Sequence, residues 1–173
     1  RVLALTHVSN LLGDVVDIKA LTALAHHNGI RVVVDGVAFA PHRALDVQDW
    51  GCDWYVFSAY KVYGPHLGVL YGSPAAAQEI TGPNHFFIPN GTPYKFELGC
   101  LAHELCAGLF GLAEYFAFLG GTKQFDRNAV VAAFDHMADL ERPLQERLLQ
   151  YLTSKEGVKV VGSAINGPDK VPT

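Results

Sequence analysis

The apolar positions divide the first seventy residues into short strands alternating with helices. Residues 1–7 open on Val2, Leu3, Ala4 and Leu5, a run read as a buried strand, followed by polar Ser9 and Asn10 and a turn at Gly13. Over residues 16–27, Ile18, Leu21, Leu24 and Ala25 recur at helical spacing, with Asp17 placed to cap the start and Asn28-Gly29 to stop it. Ile30-Arg-Val-Val-Val34 is β-branched but for Arg31, as suits a parallel strand covered on both faces. It ends abruptly at Asp35-Gly36. A short helical piece over 46–50 precedes the apolar strand 54–57, which runs into Ser58-Ala-Tyr-Lys61. Residues 68–71 form one more strand. The stretch 73–97 is rich in Gly, Pro and Asn and reads as a long irregular connection.

The second half is helical. Residues 101–119 are apolar nearly all round, which implies burial on both sides, and Gly120-Gly121 stops them. A long amphipathic helix over 128–152 carries Pro143, a point at which it could bend. Residues 158–161 read as a final strand. Strand–helix alternation with short connectors predicts an α/β domain with a mainly parallel sheet flanked by helices. Ligands collect outside the carboxyl ends of such strands. Asn10, Asp35 and the Ser58–Lys61 pair all stand at those ends, so three strands bring polar groups to one rim.

Composition narrows the function. The 173 residues carry 13 Lys+Arg against 17 Asp+Glu, a net charge of −4, which gives no support for nucleic acid or an anionic membrane as partner. No apolar run reaches the ~18 residues needed to span a bilayer. Cys52, Cys100 and Cys106 form neither a CxxC pair nor an even disulfide framework, as expected of reduced thiols in a cytoplasmic protein. His26-His27 reads as a solvated pair on a helix surface. The remaining histidines show no metal-ligand spacing, and no GxSxG elbow supports a hydrolase.

Chemistry concentrates on Lys61 and Asp35. A lysine at the mouth of a buried strand is partly desolvated and a better nucleophile toward a carbonyl. On position alone, a surface lysine just past a strand is the commoner case. Asp35 ends the most hydrophobic strand, where a carboxylate needs a partner: a protonated heterocyclic nitrogen, a helix N-terminus or a basic side chain. Together an amine, an acid and hydrogen-bonding groups on three strand ends are the equipment of a pyridoxal phosphate site, one candidate among several.

The stretch from His7 to Tyr71 resembles the cofactor-binding segment of class V aminotransferases, the cysteine desulfurase-like group in particular. The matching pieces are His7-Val-Ser-Asn-Leu-Leu-Gly13, Ala25-His-His-Asn-Gly29, Val32-Val-Val-Asp-Gly36 and Asp53-Trp-Tyr-Val-Phe-Ser-Ala-Tyr-Lys-Val-Tyr-Gly-Pro-His66. Tyr94-Lys-Phe-Glu-Leu-Gly99 resembles the family's Phe-Glu-x-Gly-Thr segment. The resemblance implies that Lys61 is the Schiff-base lysine of pyridoxal 5'-phosphate and that Asp35 pairs with the pyridinium nitrogen. It implies further that Asn10 lies near the phenolic oxygen, that Ser58 and Tyr60 bind the phosphate, and that Cys100 approaches the phosphate of a partner subunit in a homodimer. The substrate implied is an amino acid. Residues 1–120 would then be part of the cofactor-binding large domain, and 121–173 a linker helix with the start of a smaller α+β domain, the whole a fragment of a longer protein. Three departures favour an alternative, a catalytically incomplete fragment or non-catalytic homologue that keeps the fold without activity: Ala38 stands where relatives carry a glutamine, Cys100 where they carry a threonine, and the family segment expected before residue 1 is missing. None of the three cysteines occupies the position of the desulfurase nucleophile.

Overall fold

The computed structural model describes residues 1–97 and 99–173; Leu98, inside the Phe96–Cys100 segment, lies outside them. Four strands form one sheet in the order β1 (Val2–Thr6), β2 (Arg31–Asp35), β3 (Trp54–Ser58) and β4 (Gly68–Gly72). The first three run parallel, with Thr6 opposite Asp35 and Asp35 opposite Val56, and β4 is antiparallel to β3. The parallel strands therefore end on one rim. The mainly parallel, helix-flanked α/β fold is the one expected.

Local chemistry sets the elements. In β2, Val32 and Val34 are fully buried while their neighbours are not, the two-residue period of a strand packed against helices. Helix α1 (Ile18–His27) starts at Asp17, whose side chain accepts from the Ala20 N–H at 2.9 Å, and it turns Ile18, Thr22 and Ala25 inward. Asp46 caps α2 (Val47–Trp50) in the same way. Tyr55, the second residue of β3, joins Ile18, Val32, Val34 and Cys52 in the core between sheet and α1.

The long connection contains a helix, α3 (Pro74–Glu79), where Ser73 supplies the cap and Pro74 a preset first turn. The expected single helix over 101–119 is two: α4 (His103–Gly108) and α5 (Gly111–Leu119). Gly108 and Gly111 weaken the α-helix there, and Leu109 and Leu112 donate to carbonyls three residues back, at 3.1 Å each. Helix α6 (Arg127–Thr153) continues through Pro143 and packs Ala129, Ala133 and Met137 inward, with Phe134 against Phe116 of α5.

Two further expectations are corrected. Strand β1 is largely exposed because, among the described residues, it forms the sheet edge with one neighbour only; Val2 is 66% exposed. Residues 158–161 are irregular rather than a strand. The tail beyond them returns to the first turn, where Val171 N–H donates to Gly13 O at 2.9 Å and Lys170 Nζ to Leu12 O at 2.6 Å. Val171 is 1% exposed, buried beside Val8 and Phe39, and that burial holds the tail.

Candidate active site at the strand ends

Where β1 and β2 end, a cavity of about 340 Å³ is walled by Thr6, Ser9, Asn10, Asp35, Ala38 and Lys61. Each wall residue arrives by a different local device. Thr6 closes β1 and donates its hydroxyl to Val8 O at 2.8 Å. The loop after it folds on Ser9, whose Oγ accepts from the N–H groups of Leu11 and Leu12, so that Asn10 faces the cavity. Asp35 closes β2, and its Oδ1 accepts from Val37 N–H at 2.9 Å, a tight turn that brings Ala38 back into the wall. Lys61 follows β3 on the short 3₁₀ turn Ala59–Val62, which ends at Tyr63 with φ 65.

Of the six residues expected at the site, Asn10, Asp35 and Lys61 share this cavity. Ser58, Tyr60 and Cys100 do not line it. Ser58 pairs with Gly68 in the sheet, Tyr60 packs edge-on to His66 with ring centroids 4.8 Å apart, and Cys100 is exposed after the 3₁₀ turn Tyr94–Phe96. The expected desolvation of Lys61 is not met, since both Lys61 and Asp35 are exposed. Lys61 nonetheless differs from Lys19, Lys95 and Lys170 in being uncommitted. Lys19 is paired with Asp49 at 2.6 Å, Lys95 is buried and donates to Ile80 O, and Lys170 is held by Leu12 and Asp14. Among the described residues Lys61 has no such partner.

Beneath the cavity lies a buried pair that the sequence did not point to. His7 Nδ1 is hydrogen-bonded to the Tyr55 hydroxyl at 2.9 Å, and the imidazole stacks on Phe39 at 3.7 Å and meets Trp50 edge-on. Burial pushes the His7 imidazole down to about 4 and the Tyr55 phenol upward, so both are neutral near pH 7. The partners are 48 residues apart, and no spacing rule links them.

A larger cavity of about 740 Å³ lies between the sheet and α4–α6, walled by Phe57, Val62, Leu112, Phe116 and Phe134 among others. Apart from Arg127 and Cys106 its wall is hydrocarbon, so it offers no set of groups for covalent or acid–base chemistry. Among the described residues no three His, Cys, Asp or Glu side chains gather to hold a metal ion, and no helix is long and apolar enough to cross a membrane.

An amine, a carboxylate and a carboxamide around one cavity at the ends of parallel strands fit the aldehyde, the ring nitrogen and the ring oxygen of a pyridoxal. Comparison with known proteins identifies the family. The family described as Aminotransferase class-V matches residues 1–170, and the chain belongs to it. It is 42% identical over 176 residues to the aminotransferase-like protein FGM3 of Gibberella zeae, covering 100% of this chain and 41% of that protein. It is 35% identical to a cysteine desulfurase of Klebsiella pneumoniae, covering 91% of this chain and 42% of that enzyme. The crystal structure of the cysteine desulfurase CsdA (S-sulfonic acid) from Escherichia coli superposes with a TM-score of 0.61 at 25% identity, covering 90% of this chain and 39% of that one. The chain thus spans about two fifths of the length of these relatives. The family is one of pyridoxal phosphate-dependent enzymes.

Proposed function

We propose that this chain carries the cofactor-holding part of a pyridoxal 5'-phosphate-dependent enzyme of the cysteine desulfurase-like group that acts on an amino acid. The observation that carries the reading is the convergence of Asn10, Asp35 and Lys61 on one cavity at the sheet's carboxyl rim. When bound, pyridoxal phosphate draws electrons from the α-carbon of an attached amino acid. Lys61 would hold the cofactor through Nζ and, once released by the substrate amine, move the proton at the α-carbon as base and then acid. The Asp35 carboxylate would keep a proton on the ring nitrogen, a charge-assisted bond stronger than a neutral one. The Asn10 amide would donate to the ring oxygen. Ser58, Tyr60 and Cys100 are assigned to the phosphate on the family resemblance alone, with Cys100 directed toward a second subunit of a homodimer. The resemblance likewise supports the division at residue 120 into a large domain and the start of a smaller one. Three free thiols fit a cytoplasmic site of action.

Borohydride reduction after incubation with pyridoxal phosphate, followed by peptide mapping, tests the assignment. The pyridoxyl group is expected on Lys61; its recovery on Lys19 or Lys95 would refute it. A second reading, a non-catalytic homologue, is favoured by the methyl of Ala38 in the cavity wall and by Cys100 lying outside it. An absorption spectrum of pyridoxal phosphate that the protein leaves unchanged would support that reading instead.

A further inference from the structure

The turn that presents Asp35 is held from below. His7 N–H, just past the end of β1, donates to Asp35 O at 2.8 Å, and Gly36 N–H donates to Val56 O of β3 at 2.8 Å. Directly against Gly36 lies the Tyr55 side chain. A Cβ on residue 36 would sit 2.1 Å from the Tyr55 Cε1, Cζ and hydroxyl atoms, so the phenol fills the place a side chain would take. Tyr55 is 0% exposed and its hydroxyl is tied to His7 Nδ1, while the His7 ring is fixed by Phe39 and Trp50. The ring that fixes Tyr55 therefore belongs to the residue whose main chain holds Asp35. Neither side chain lines the cavity, so neither is placed to touch a ligand there.

We propose that His7 and Tyr55 are a buried positioning pair, whose hydrogen bond locks the Tyr55 phenol under Gly36 and so fixes the Asp35–Gly36 turn and the carboxylate it presents to the cavity. The inference rests on the reading of Asp35 as the partner of the cofactor's ring nitrogen. Tyr55→Phe is the informative change because it keeps the ring and removes only the tie to His7.

Two readouts test the pair. In the cofactor-free protein, amide-hydrogen exchange at Gly36 and Val37 should quicken about five- to tenfold in Tyr55→Phe, the scale of one lost hydrogen bond, while Val32 and Val34 stay as in the wild type. Unchanged exchange at Gly36 and Val37 overturns the proposal, as does uniform acceleration across β2, the mark of a merely structural role. In the protein reconstituted with pyridoxal phosphate, cofactor affinity is measured in a cycle of Tyr55→Phe and Asp35→Asn. If Tyr55 acts through Asp35, Tyr55→Phe weakens binding severalfold alone and has no further effect beside Asp35→Asn; additive losses overturn it. Should Asp35→Asn alone leave affinity and spectrum untouched, the assignment of Asp35 to the ring nitrogen fails. The exchange measurement then still decides whether the pair holds the turn.

Discussion

Removal of the Asp53 carboxylate should be among the costliest single changes at the end of the sheet away from the cavity. Asp53 is 2% exposed and accepts three hydrogen bonds: from Val32 N–H at 2.7 Å, His26 Nε2 at 2.8 Å and Arg31 Nη1 at 2.7 Å. Burial alone would raise its pKa, but the bonds from His26, Val32 and Arg31 outweigh it and hold the carboxyl below the ordinary 3.8. In Asp53→Ala, the Val32 N–H loses its acceptor inside the sheet, which costs about 1–3 kcal/mol. His26 and Arg31 are each more than a third exposed and Arg31 also pairs with Glu79, so solvent and Glu79 soften their loss. The sum is about 3 kcal/mol, toward the lower end for breaking a buried pair by removing one partner. Urea unfolding of wild type and variant at pH 7 measures it. Because the folded pKa is depressed, the stability this carboxylate contributes is fully present above 3.8 and is lost as the pH falls through the lower folded value. The gap between the two proteins should therefore be constant from pH 7 to about 5 and narrow below 3.8. A difference under about 1 kcal/mol, or one that persists unchanged in acid, would refute the reasoning.

The other expectations follow from burial in the same way. His7 has a folded pKa of about 4 against 6.5 unfolded, so its contribution is complete above 6.5 and declines as the pH falls toward 4. The shift corresponds to about 3 kcal/mol, and an identical pH–stability slope in His7→Phe would contradict it. Gly36→Ala drives a methyl into Tyr55 and should cost about 3 kcal/mol in urea unfolding, whereas wild-type stability would mean that the ring moves aside freely. Lys61→Ala, at an exposed position, should unfold within about 0.5 kcal/mol of wild type while losing the borohydride-stable adduct; a large destabilisation would make Lys61 structural.

The elements most legible in the sequence were those with both a period and a cap. Asp17 stands at the start of α1 because a short carboxylate before an apolar periodic run has one good use; the β-branched run of β2 marked a strand, whereas the alternation of Val32 and Val34 into the core came only from the structure. The 73–97 segment was read as irregular because its Gly and Pro content outweighed Ser73-Pro74, which is itself a helix start. The break between α4 and α5 was hidden by the apolar run, although Gly108 and Gly111 bracket it. Strand β1 was read as buried because an apolar run does not reveal how many neighbours its strand has.

The candidate site divides along a similar line. A strand end specifies a rim, and that reasoning found Asn10, Asp35 and Lys61. It does not specify which way each residue of the following turn faces. Ser58 is still within the β3–β4 ladder, and the 3₁₀ turn that brings Lys61 to the cavity takes Tyr60, one residue earlier, to His66. Adjacent residues on a tight turn point in different directions, so a motif that is contiguous in sequence separates in space. The converse holds for Ala38, which spacing alone would leave in a loop, yet the bond from Val37 N–H to Asp35 Oδ1 folds the loop back and sets Ala38 in the wall. Its methyl leaves that side of the cavity without a side-chain donor. On the proposed reading, recognition of the cofactor ring's polar groups rests on Asn10, Asp35 and Lys61, and the precision with which the turn holds Asp35 matters correspondingly more.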